Sequence, residues 1–117
     1  MAYQRGSLHE HEKLKARILA HPKLVGINKK DIISIETEYP LTKKKRAIAK
    51  PDIVIFYRNE NKICKRFVEI KSGNCRRALE DLDYQLRKIT RYLKYKNMEG
   101  EVIGVYPMEN ALELLVL

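Results

Sequence analysis

Residues 51–73, "PDIVIFYRNENKICKRFVEIKSG", decide the fold. An aspartate opens a run of β-branched and aromatic residues, a polar break follows, and a second β-run carries Glu69 and Lys71. Residues two apart on a strand share a face. A strand otherwise built from Phe67, Val68 and Ile70 therefore presents a carboxylate and an ammonium side by side. The break at 58–62 reads as a hairpin turn, because Asn59 and Asn61 tolerate turn geometry. Strands at 52–57 and about 63–71 are then antiparallel neighbours. Counted outward from Glu60, Asp52 lies within about a residue of Glu69, and adjacent strands are only ~4.8 Å apart. Pro51 donates nothing to a ladder, so the strand can splay where Asp52 begins it.

The surrounding elements follow from periodicity. Residues 8–20 read as a helix, with Ser7 as N-cap, Glu10 as capping-box partner, and Leu8, His11, Leu14 and Ile18 on one face. Pro22 stops it. Residues 32–39 alternate, with Ile33, Ile35, Thr37 and Tyr39 facing one way and Ser34, Glu36 and Glu38 the other. Pro40 ends that strand, and residues 41–50 read as a basic loop. Asn74 is placed to cap a second helix over about 75–96, whose Leu79, Leu82, Leu86, Ile89 and Leu93 repeat every three or four residues. Residues 101–106 form a fourth strand ended by Pro107, and 111–117 read as a last strand, with a helical turn as the alternative. The first three strands make a meander, and the helical crossover brings the fourth in parallel. The expectation is one α/β domain over residues 1–117, a mixed sheet flanked by helices in the order αβββαβ with a last strand.

A chain of 117 residues, 44% hydrophobic, suits one folded domain rather than a disordered tail. Its net charge of +9 attracts polyanions, nucleic acid foremost, although Lys-rich compositions also cover ordinary surfaces. Two cysteines, Cys64 and Cys75, make neither a disulfide framework nor a zinc-ribbon spacing, so a reducing, cytoplasmic location is expected. The N-terminal stretch lacks the apolar core of a signal peptide, so none is expected, and no apolar run reaches the ~18 residues a membrane span needs. No Gly-rich phosphate loop supports ATP-driven chemistry.

Two carboxylates converging at one strand spacing repel each other unless a cation sits between them. Hard oxygen ligands with open positions suit Mg²⁺ or Mn²⁺, and a neighbouring lysine can orient the attacking water or stabilise developing charge. A lone E-x-K on a strand is more often a solvated face; the Pro-Asp, the apolar strand and the hairpin set this one apart.

Pro51-Asp52, a strand, then Glu69-Ile70-Lys71 resembles the PD-(D/E)xK nuclease superfamily. The resemblance covers roughly residues 8–106 and implies a restriction-endonuclease-like sheet and metal-dependent hydrolysis of DNA. Within the superfamily the sequence looks most like archaeal Holliday junction resolvases and the catalytic domains of branched-DNA or mismatch endonucleases. It implies that Asp52, Glu69 and the Ile70 carbonyl hold Mg²⁺ (or Mn²⁺), with Lys71 placing the water. Many members carry a further upstream acid. Glu38 is the preferred candidate, with Glu36, Glu10 and Glu12 as alternatives. Several subfamilies place a glutamine on the following helix, which is Gln85 here, either a rim residue or a group reaching the site.

Lys43, Lys44, Lys45, Arg46 and Lys50 lead into Asp52, and Arg76 and Arg77 occupy the first turn of the second helix, where the macrodipole disfavours cations. Phosphate contact and plain solvation both account for them. His11 reads as half-buried against the core. The expected partner is double-stranded or branched DNA, and a homodimer through "ALELLVL" goes with the junction reading, because cutting both strands takes two sites. A non-catalytic binding module that keeps the fold, and an RNA-directed nuclease, are the competing functions.

Overall fold

A computed structural model describes residues 2–117, with side chains from Leu8 onward. The 51–73 stretch forms the central hairpin, β4 (Ile53–Asn59) and β5 (Lys62–Ile70). Its turn is tighter than expected. Asn59 still pairs with Lys62, and only Glu60 and Asn61 reverse the chain, at φ of 49° and 66°. Two successive residues at positive φ give the type I′ turn, whose twist matches that of the strands. The strand β1 (Ile32–Thr37) lies antiparallel to β4. A register shift between Ile32 and Ser34 changes which side chains face inward. Ile32 and Ile35 pack on the core, while Ile33 is 49% exposed and Thr37 is exposed too. Simple alternation put Ile33 and Thr37 on the inner face; the bulge and the edge position of β1 overturn that.

The segment 41–50 is not a loop. It forms a small hairpin, β2 (Leu41–Lys43) and β3 (Arg46–Ala49), turned by Lys44 and Lys45 at φ of 52° and 65°. Lysines in a turn that favours Asn or Gly conceal it from the sequence. Leu41 and Ala49 anchor it in the core.

Helix α1 (Ala2–Ala20) begins well upstream of Ser7, which therefore does not cap it. Two 3₁₀ turns, Pro22–Val25 and Lys29–Asp31, lead to β1. Helix α2 (Arg76–Tyr95) is N-capped by Cys75 rather than Asn74. The Asn74 amide donates instead to the Pro107 carbonyl at 3.0 Å, tying the start of α2 to the next strand. At its other end Asn97, at φ 54°, closes α2, with the Met98 and Asn97 amides donating to the Leu93 and Lys94 carbonyls.

The strand β6 (Glu101–Met108) runs parallel to β5 and antiparallel to β7 (Ala111–Val116), giving the sheet order β1-β4-β5-β6-β7. Pro107 does not end β6: it pairs with Leu112. Pairing with β5 stops at Val105, so no neighbour on that side needs an N–H from Pro107. The architecture is thus mixed α/β, two helices on a five-stranded mixed sheet with a small two-stranded sheet beside it. One apolar layer joins Ile18 of α1 to Ile53, Ile55, Val68, Ile70 and Val105; the other joins Ile89 and Leu93 of α2 to Val54 and Phe67. Leu82 of α2 lies against Gly104 so closely that a Cβ there would sit 2.8 Å from its side chain. That contact sets α2 tightly against the sheet at the end where Asp52 and Glu69 lie. Among the described residues no helix is long and apolar enough to cross a membrane.

Candidate active site

The pairing Ile53↔Val68, continued by one step, places Asp52 opposite Glu69. Each carboxyl group accepts a backbone N–H from the facing strand. The Asp52 amide donates to Glu69 Oε1 at 3.2 Å, and the Ile70 amide donates to Asp52 Oδ2 at 2.7 Å. These bonds occupy the end of the hairpin where the ladder stops, so backbone donors left over from the strands hold both carboxyl groups. The Lys71 amide donates to the Val105 carbonyl at 2.9 Å, fixing its backbone to β6.

The pair lines a cleft of about 540 Å³ together with Lys50, Ile70, Lys71 and Gln85. Six positions singled out in the sequence thus converge. Gln85 is brought in by α2, whose preceding turn offers Asp81; the Lys71 ammonium lies 3.8 Å from Asp81 Oδ2.

The electrostatics separate the two carboxyls. Burial, and then hydrogen bonding with the Asp52 side chain and the charge of that neighbour, push Glu69 up to about 9. Burial pushes Asp52 upward as well, but hydrogen bonds with His11 and Glu69 and from the Ile70 amide outweigh it and hold Asp52 below the usual carboxylate range. The two groups are thereby set apart, Glu69 the weaker acid and Asp52 the stronger. Two neighbouring carboxyls that cannot both ionise behave in this way.

His11 is the residue that sequence reasoning missed. It is half-buried as expected, but its Nε2 lies 3.2 Å from Asp52 Oδ1 and it lines the cleft. The hydrogen bond to Asp52 raises the imidazole above its ordinary value, against burial, and the charges of Asp52 and Glu12 add to the effect. Its Nδ1 is buried without a hydrogen-bond partner, the nearest carboxylate, Glu12, being 3.7 Å away. The signal available was a lone titratable residue in the middle of an otherwise apolar helix face. Lys15, one turn further along α1, was missed as well; its side chain is only 8% exposed.

Other expected residues lie elsewhere. Glu38, the preferred upstream acid, is 70% exposed, lies 3.6 Å from Lys15 Nζ and does not line the cleft. Its amide, at φ 50°, bonds the Asp52 carbonyl, so Glu38 contacts the backbone of the site rather than its carboxylates. Glu36 is exposed across from Val54; Glu10 pairs with Lys13. Arg76 is answered by Glu80 at 3.0 Å, and Arg77 is exposed. Lys43, Lys44 and Arg46 surround a separate hollow on the β2–β3 hairpin, and Lys45 sits exposed in its turn.

Among the described residues no three His, Cys, Asp or Glu side chains form a metal-holding group. The donors that fit a cation are Asp52 and Glu69. They are hard oxygens on adjacent strands, and the charge of Asp52 that raises Glu69 is one a cation would offset. With two protein carboxylates only, most coordination positions stay open, which suits Mg²⁺, an ion that keeps several waters. Comparison with protein-family models, with curated proteins and with solved structures finds no match for this chain.

Proposed function

We propose that this protein is a metal-dependent endonuclease that hydrolyses DNA phosphodiester bonds, a member of the PD-(D/E)xK superfamily. The observation that carries the reading is the convergence of Asp52, Glu69 and Lys71 on one cleft, with the Asp52 amide bonded to the Glu69 carboxyl and the Ile70 amide to the Asp52 carboxyl. The element order, a helix, a meander that includes the central hairpin, and a parallel strand after the second helix, supports it.

Asp52 and Glu69 would hold Mg²⁺ or Mn²⁺, which supplies a Lewis acid at the scissile phosphate. The chain's own groups do the rest. The Ile70 amide and His11 fix the Asp52 carboxylate in place. The Lys71 ammonium, resting near Asp81 in the free protein, turns toward the phosphate and orients the attacking water while balancing the charge that builds on the phosphoryl oxygens. Gln85 and Lys50, both on the cleft wall, hydrogen-bond phosphate oxygens on either side. The water oxygen bonds to phosphorus and gives up one proton to bulk solvent as the P–O bond opposite it breaks, and the departing oxygen takes a proton from solvent.

The reading is tested by incubating the protein with supercoiled plasmid, single-stranded DNA and a synthetic four-way junction, in Mg²⁺, Mn²⁺ or EDTA. Cleavage in the metal arms alone, lost in Glu69→Ala, is the expected result, and the preferred substrate identifies the class of DNA. Absence of cleavage in every arm rejects the activity. The position of Glu38, drawn out to Lys15 and leaving two carboxylates at the cleft, favours a second reading. On that reading the chain binds DNA through the same surface without cutting it, and Lys71→Ala leaves binding unchanged. If the junction reading holds, a homodimer forms through the outer edge of β7, where Leu114 and Val116 are exposed. A monomeric mass by sedimentation at micromolar concentration excludes it.

A further inference from the structure

The β2–β3 hairpin and the C-terminal half of α2 enclose a second hollow. It measures about 230 Å³ and is lined by Lys43, Ile48, Lys88, Arg91, Tyr92 and Tyr95. A neighbouring hollow of about 390 Å³ shares Lys43 and Ile48 and adds Lys44 and Arg46. Neither wall carries a carboxylate, and none of these five cations has an ion-pair partner among the described residues. The same helix neutralises two of its other arginines: Arg76 pairs with Glu80, and Arg87 with Asp83.

The cations are also held together. The Tyr92 hydroxyl donates to the Thr42 carbonyl at 2.9 Å, pinning the hairpin to α2, and Lys43 Nζ stands 4.3 Å over the Tyr95 ring. Like charges assembled on facing walls repel, and a bound polyanion relieves that repulsion. The groove and the cleft are both bordered by α2. Gln85, Lys88, Tyr92 and Tyr95 follow one another at three- and four-residue steps, and Gln85 lines the cleft. Ten residues of helix span about 15 Å. At ~3.4 Å per nucleotide of one strand, that is roughly four nucleotides.

We infer that the groove between the β2–β3 hairpin and the C-terminal half of α2 holds the sugar–phosphate backbone of the DNA strand leaving the cleft, roughly four nucleotides from the scissile phosphate. The inference rests on the nucleic-acid reading above, and it adds Lys88 and Arg91 to the DNA-contacting residues.

The test measures binding of a fluorescent ~30-bp duplex in EDTA as salt is varied, so that it does not depend on cleavage. The expected result is that Lys43→Glu/Lys88→Glu/Arg91→Glu weakens binding more than about tenfold and lowers the salt slope by about 2–3. A charge-matched variant, Lys29→Glu/Lys30→Glu/Arg58→Glu, lies at the far end of β1 and β4 and changes affinity less than about threefold. Alanine at the three groove positions gives the same ordering with a smaller loss, which separates a binding effect from misfolding. Equal losses in the groove and control variants, or no loss in the groove variant, overturn the inference. A protein that binds through the groove but cuts no substrate keeps the inference and rejects the endonuclease; one that cuts DNA with an unaffected groove variant does the reverse.

Discussion

Glu69 keeps its proton because burial and a neighbouring carboxylate both penalise its charge, and that has a consequence for stability. Folded, Glu69 loses its proton near 9; unfolded, near the ordinary carboxyl value. Between those limits the native state binds more protons than the unfolded one, so stability falls as pH rises. The raised His11 works in the same direction just above its ordinary value. In EDTA the melting temperature should therefore decline from pH 5 to pH 9. Glu69→Gln should flatten most of that decline and leave the smaller His11 part; an unchanged slope contradicts the protonated pair. His11→Ala removes the imidazole beside Asp52 Oδ1. It should lower metal-dependent cleavage by roughly 10–100-fold, as loss of a group that orients a ligand commonly does, with recovery at higher metal concentration. At this scale the sequence was informative wherever a count from the turn sufficed. Asp52, Glu69 and Lys71 could be placed by counting residues along two paired strands. His11 and Lys15 could not, because their roles depend on how α1 is docked, and a histidine on an apolar helix face ordinarily means packing.

Among the elements, the docking of α2 depends on a residue without a side chain. Gly104 lies where any Cβ would meet Leu82 at 2.8 Å, on the strand next to β5. Gly104→Val should push α2 off the sheet, costing about 1–3 kcal/mol in urea unfolding, as overpacked cores do. It should also reduce cleavage, since from that helix Gln85 lines the cleft and Asp81 lies beside Lys71. Stability equal to wild type would show that α2 can shift freely. The periodic elements were readable: β4, β5, α2 and the parallel crossover follow from their apolar spacing. Their ends and the small hairpin were not. Positive φ at Lys44, Lys45 and Glu60 is imposed by tertiary anchoring through Leu41, Ala49 and the paired strands, against the preference of those residues. The cap of α2 was misplaced by one residue: the Asn74 side chain donates to the Pro107 carbonyl, and Cys75 takes the N-cap position.

Over the whole molecule, the fold concentrates chemistry at one end of the central hairpin. Strand ends leave backbone donors there, α1 delivers His11, α2 delivers Gln85 and Asp81, and the β2–β3 hairpin leads a run of cations into Lys50. Net charge of +9 then favours DNA at a distance, while the carboxyl pair acts locally. The most direct measurement is a single-turnover cleavage rate for Lys71→Ala beside wild type, with protein saturating the DNA in Mg²⁺. The account predicts a rate lower by about 10²–10⁴-fold with binding unchanged, because Lys71 acts on the water and the developing charge rather than on DNA affinity. Cleavage by the variant at the wild-type rate would contradict it.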